Sequence, residues 1–131
     1  MENEPLEFDR IDLRDLKTIT IDGADSKDFD DAISVEKLND GYKIGVHIAD
    51  VSHFVDIGSA LDREARKRGN SVYLIDKVYP MFPHELSNGI CSLNEGVSRF
   101  AMTVFINIDN KGNIRESSFH KSVIKSDRRL R

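Results

Sequence analysis

The segment Thr20-Ile21-Asp22-Gly23-Ala24-Asp25-Ser26-Lys27-Asp28-Phe29-Asp30-Asp31-Ala32 places five aspartates within ten residues. It limits what the chain can fold into. Aspartate is poor in helix interiors and in strand interiors, so no regular element runs through the whole segment. Apolar runs end at Ile21 and resume at Ala32 on either side of it. The segment therefore reads as a loop between two buried elements. Its carboxylates repel unless protons or a cation neutralise them. Divalent metal is the reading that this crowding favours.

Both flanks look like strands. Residues 17–21 alternate and are β-branched, and residues 32–38 read as a second strand. Asn39-Asp40-Gly41 supplies a turn, and residues 42–48 alternate strictly as a third strand. A helix is expected over 59–68, with Ser59 as N-cap, Asp62 three residues on and Gly69 ending it. Its apolar face is thin, and Arg63, Arg66, Lys67 and Arg68 make the rest basic. Residues 71–75 read as a strand and 84–87 as a short helix after Pro80 and Pro83. Residues 99–108 form a long strand with Phe100, Met102, Val104, Ile106 and Ile108 on one face, and 114–124 return as its partner. The last residues, 125–131, resemble the opening of a helix. The expected fold class is α+β, a strand-rich mixed sheet or partial barrel with one main helix. Residues 1–16 read as an arm or linker tail ahead of a unit spanning 17–131.

The chain has 131 residues, 39% hydrophobic and 32% charged, which suits one domain or part of one and argues against disorder. Its apolar runs are too short for a membrane-spanning helix, and the acidic start is not a secretory signal. Cys91 is the single cysteine, which fits a reducing cytoplasm and leaves zinc without a second thiol. The net charge of −4 hides an asymmetry: residues 1–62 carry sixteen acidic against six basic side chains, the remainder seven against thirteen. An acidic pole beside a basic half suits an enzyme that holds cations next to a phosphate backbone. Uneven surface charge alone would give the same count.

Hard cations prefer oxygen ligands, and Mg²⁺ sits on a few carboxylates while keeping waters for a substrate to replace. Asp28 and Asp30, two apart, project to one side of an extended backbone, while Asp31 faces away unless the chain bends. Gly23 permits the turn that returns Asp22 to the group. Such a loop could hold two ions about 4 Å apart, the spacing used in phosphodiester chemistry. A calcium hand fits worse, because no glycine stands at its sixth position and strands flank the loop. An aspartyl-phosphate enzyme fits worse too, because Ser26-Lys27 precede the acidic pair. A plain acidic surface turn stays open. His47, His53 and Asp50 could form a metal shell, but hydrogen-bonded structural histidines are the simpler reading. Tyr73 by itself reads as a strand aromatic that fills a core.

Five ordered blocks go further. They are Thr20-Ile21-Asp22-Gly23-Ala24, the run from Asp28 to Ser34, the run from Gly45 to His53, Gly69-Asn70-Ser71-Val72-Tyr73-Leu74, and the run from Leu86 to Leu93. Together they resemble the beginning of the RNB catalytic domain of the ribonuclease II/ribonuclease R exoribonucleases, nearer the ribonuclease R branch. The resemblance implies a Mg²⁺-dependent, processive 3′-to-5′ exoribonuclease (Mn²⁺ is a candidate too) acting on the 3′ end of single-stranded RNA and releasing 5′-mononucleotides. Asp22, Asp28, Asp30 and Asp31 match the family's metal-site aspartates, with Asp30 the indispensable catalytic one; Asp25 falls between matched positions. Tyr73 matches an aromatic that holds the terminal base against a second ring.

In the family the domain is longer and flanked by cold-shock-like and S1 RNA-binding domains. Its second clamping aromatic and its transition-state arginine lie beyond the position matching Arg131. The chain thus reads as the N-terminal part of such a domain. It is expected to bind metal weakly and to have little or no activity alone, since losing one preorganised donor costs about 10²–10³ in rate. The competing expectation is a non-catalytic RNA-binding module built on the basic helix and the basic C-terminal residues.

Overall fold

The computed structural model describes residues 9–26 and 28–131. Residues 1–8 of the expected arm, and Lys27, lie outside the described residues. Among the described residues nine strands form: β1 (Ile11–Leu13), β2 (Ile19–Ile21), β3 (Asp31–Leu38), β4 (Gly41–Ala49), β5 (Val72–Tyr73), β6 (Val78–Tyr79), β7 (Ser98–Asp109), β8 (Ile114–Lys125) and β9 (Arg128–Leu130). Seven of them make one mixed sheet in the order β1-β8-β7-β4-β3-β2-β9, curled into a half-barrel. The centre is antiparallel, and both edge strands pair in parallel, β1 on β8 and β9 on β2. β5 and β6 form a separate two-stranded ribbon.

The alternation in residues 31–38 and 41–49 builds an eight-pair hairpin from Asp31↔Ile48 to Leu38↔Gly41. β7 lies along the other side of β4, from Gly41↔Asp109 to Ala49↔Ala101. Phe100, Met102, Val104, Ile106 and Ile108 do share a face of β7, but the opposite face is the buried one, with Ala101, Thr103 and Phe105. That inner face is small and polar, and it closes on itself. Ser122 Oγ donates to the Ala101 carbonyl, so it accepts from Thr103 Oγ1 at 2.7 Å. Thr103 must then accept from His47 Nδ1 at 2.8 Å, leaving Nε2 to accept from Ser34 Oγ at 2.9 Å. A terminal carbonyl thereby fixes every proton in the chain. Gly45 is needed beside it, because a Cβ there would collide with Ser34 Oγ and approach His47 Nε2 to 2.8 Å.

The apolar core is small: Phe29, Ala32, Ala49, Cys91, Leu93, Ala101 and Ile124, with Leu13, Val51, Phe54 and Leu86 packed against it. Beside it Arg10 and Asp50 form a buried ion pair at 2.6 Å, with Arg10 4.3 Å from the Phe100 ring centroid. Burial opposes the Asp50 charge, but bonds from Ser52 and Arg10 outweigh it and hold the carboxyl below its usual range.

The α-helix α1 (Ala60–Arg68) starts where Ser59 Oγ accepts from Asp62 N and ends at Gly69, whose φ of 74° ordinary residues rarely adopt. Two expectations shift. The strand over 71–75 shrinks to Val72–Tyr73, and the short helix becomes a π-type turn over Glu85–Ile90, closed by Cys91 N on the Leu86 carbonyl. A third is wrong. Residues 125–131 do not open a helix: Asp127 exchanges bonds with Thr18 through its backbone N and its side chain, which draws Arg128–Leu130 into the sheet as β9.

Candidate active site

The acidic segment is pinned in its second half by the core. Phe29 is only 6% exposed. Its backbone N donates to Ser92 Oγ at 3.1 Å, and its carbonyl accepts from Leu93 N at 2.9 Å. Ala49 N donates to the Asp30 carbonyl at 2.8 Å. With Phe29 facing the core, its neighbours Asp28 and Asp30 are left on the outer side, where both line one cavity. Asp31 opens β3, and Asp22 follows β2, its backbone N donating to the Leu130 carbonyl at 3.3 Å.

The four aspartates feel one another. Burial raises the Asp22 carboxyl above its ordinary range, and the charges of Asp31 and Asp28 add to this while Arg129 opposes it. Asp30 is raised as well, by desolvation first and then by Asp28, Asp31 and Asp22. Asp22 Oδ2 is buried with no hydrogen-bond partner. Among the described residues, however, no three His, Cys, Asp or Glu side chains stand close enough to enclose one ion. The carboxylates are grouped along one loop but are not closed into a cage, as mutual repulsion dictates.

Tyr73 is 62% exposed, so it does not fill the core. Its hydroxyl donates to Asp28 Oδ2 at 2.9 Å, and that bond, with burial second, lifts its pKa above the normal phenol value. Two cavities meet at this pair. One, of about 850 Å³, is lined by Gly23, Asp25, Asp28, Tyr73 and His84 among others. The other, of about 340 Å³, sets Asp28, Asp30 and Tyr73 against Ile48, Met81 and Phe82. The arrangement offers carboxylate oxygens, an aromatic face and an apolar recess within one cleft.

The histidine shell does not form. Both His47 ring nitrogens are taken by Ser34 and Thr103, and Asp50 is held by Arg10. His53 lies edge-on to Phe100 with ring centroids 4.5 Å apart. Two residues that sequence reasoning missed support the loop: Ser92, through Phe29, and Arg129, whose Nη2 bonds the carbonyls of Gly23, Ala24 and Ser26. Both contacts span long stretches of chain, which no local pattern reveals.

The RNB domain profile matches residues 10–131. The chain belongs to the RNB domain family. Ribonuclease R of Thermotoga maritima is 62% identical over 122 residues, covering 92% of this chain and 17% of that relative. The structure of Mycoplasma genitalium RNase R in complex with ribose-methylated single-stranded RNA superposes with a TM-score of 0.92 at 39% identity, covering 95% of this chain and 19% of that one. The same enzyme in complex with double-stranded RNA gives 0.91 at 36%, over 98% and 24%. The chain therefore spans about a sixth to a quarter of the length of these three relatives. What it shares with them is the strand-rich RNB half-barrel.

Proposed function

We propose that this chain carries the metal-binding half of the active site of a 3′-to-5′ exoribonuclease that releases 5′-mononucleotides. One observation carries the reading: burial of Phe29 presents Asp28 and Asp30 side by side at a cleft that Tyr73 also lines. The all-oxygen donor set of Asp22, Asp28, Asp30 and Asp31 suits Mg²⁺ or Mn²⁺, and the unpartnered Asp22 Oδ2 is an acceptor that such an ion satisfies. When bound, the metal supplies an acidic water and a counter-charge for the leaving oxygen.

The chain's own residues bind and orient. The exposed Tyr73 ring gives the terminal base a stacking face, and its hydroxyl holds Asp28 in place. Asp30 is the carboxylate we assign to catalysis. The Mycoplasma genitalium enzyme in complex with single-stranded and with double-stranded RNA supports RNA as the ligand, and we assign a single-stranded 3′ end to this cleft. Cold-shock-like and S1 domains of the full-length protein are assigned to RNA delivery.

Titrating Mn²⁺ while following backbone amide signals tests the reading. Broadening centred on residues 22–31 at millimolar metal is expected. No perturbation there would remove the metal site. RNA binding that persists in chelator and ignores Asp30→Asn would replace the nuclease with a passive RNA-binding module.

A further inference from the structure

The acidic loop has little structure of its own in its first half. Among the described residues between β2 and Phe29, one backbone bond closes the loop on itself, Ser26 N to the Gly23 carbonyl at 3.1 Å. Carboxylates that repel each other would spread such a loop. What spans it instead is a side chain about a hundred residues away. Arg129 Nη2 lies 2.7 Å from the Gly23 carbonyl, 3.0 Å from that of Ala24 and 3.3 Å from that of Ser26. The guanidinium carbon sits 4.6 Å from the Phe29 ring centroid, so the same group touches both halves of the loop. Arg129 is itself anchored. Its backbone N donates to Glu95 Oε2 at 2.9 Å, and β9 holds it in register with Thr20.

We propose that Arg129 is the positioning residue of the metal loop: it gathers the Gly23–Ser26 carbonyls over Phe29 and so fixes the path of the segment that joins Asp22 to Asp28. This rests on the metal reading given above. The guanidinium suits the task because its planar, delocalised charge can stack on a ring while its N–H groups bond converging oxygens. A space-filling role alone does not explain the residue. Arg129 Nε is buried without a partner, a cost that an unbranched apolar side chain would avoid. Arg128, next along β9, is exposed and makes no comparable contact. It carries the same charge on the same strand and serves as an internal control.

The test is Mn²⁺ affinity of the 131-residue chain, read by electron paramagnetic resonance below the unfolding temperature of each variant. Arg129→Met is expected to weaken binding by about tenfold or more, as loss of support behind metal ligands does elsewhere. Its amide shift changes should stay within residues 20–31 and 93–131. Arg129→Lys keeps the charge but not the planar fork, and should recover only part of the affinity. Arg128→Met should bind like the parent. Parent-like binding by Arg129→Met, or an equal loss in Arg128→Met, overturns the positioning role while leaving the metal site intact. Absence of binding by the parent removes the metal reading and this inference with it. If Arg129→Met does not fold, Arg129→Lys decides: affinity equal to the parent's overturns the proposal.

Discussion

Phe29 sits between two carboxylates and is the residue that makes them useful, because burying its ring turns both neighbours outward. The electrostatic consequence can be measured. An unfolded Asp30 carboxyl titrates near 3.8, whereas the folded one is raised by desolvation and by Asp28, Asp31 and Asp22. In that window the native state binds more protons than the unfolded chain, so stability falls as pH rises through it. Asp30→Asn should therefore stabilise the chelator-treated protein at pH 7. The gain should be under about 1 kcal/mol, given solvent screening at an exposed carboxylate. It should vanish below pH 3.8. Thermal unfolding at the two pH values decides, and an equal gain at both would refute the repulsion account. Tyr73 supports a second prediction. Tyr73→Ala should weaken single-stranded RNA binding by about 1–3 kcal/mol, while Tyr73→Phe, which keeps the ring but not the bond to Asp28, should lose little of it. Fluorescence anisotropy with a short RNA reads both. The aspartates were visible in the sequence because their clustering has no comfortable place in a strand or helix. Arg129 was not, since its partners lie 103 to 106 residues away.

The central strands were legible for a similar reason: alternation and the Asn39-Asp40-Gly41 turn fix β3 and β4, and the apolar spacing of residues 99–108 marks β7, with β8 returning as its partner. The edge strands were not. β1 and β9 have three residues each and exist only through parallel pairing with distant partners. Lys125 to Arg131, rich in good helix formers, therefore read as a helix, and tertiary pairing overrode the local propensity. The face of β7 was also misleading, since apolar spacing marks Phe100 and Met102 while the fold buries Ala101 and Thr103. What lies under β4, β7 and β8 is a polar relay that depends on a neutral His47. Burial lowers its pKa to about 4 from 6.5. Its contribution is thus complete above pH 6.5 and is lost as pH falls towards 4. The loss reaches up to about 3 kcal/mol. His47→Gln should flatten the stability profile between those limits in urea unfolding; an unchanged slope would show that another group titrates. Gly45→Ala should cost about 1–3 kcal/mol through the collision with Ser34 and His47.

Loop, edge strand and core are joined into one thermodynamic unit. β9 holds the loop from one side through Asp22 N and Arg129, and the Ser92–Leu93 segment holds it from the other through Phe29. Whatever neutralises the aspartates should therefore stabilise the whole sheet, not a local turn. A ligand bound only to the native state adds RT ln(1 + [L]/Kd) to stability. With a dissociation constant of about 1 mM, Mn²⁺ at about 10 mM adds roughly 1.4 kcal/mol. For a chain of this size that moves the unfolding midpoint by roughly 3–6 °C. Differential scanning calorimetry should show the rise in the parent chain and its reversal by chelator. In Asp30→Asn the pattern should invert: a higher midpoint without metal and little gain from adding it, because the substitution removes both the repulsion and a ligand. A metal-induced rise of the same size in Asp30→Asn would place the ion elsewhere. A rise in neither protein would leave the crowded carboxylates without the counter-charge on which the nuclease reading depends.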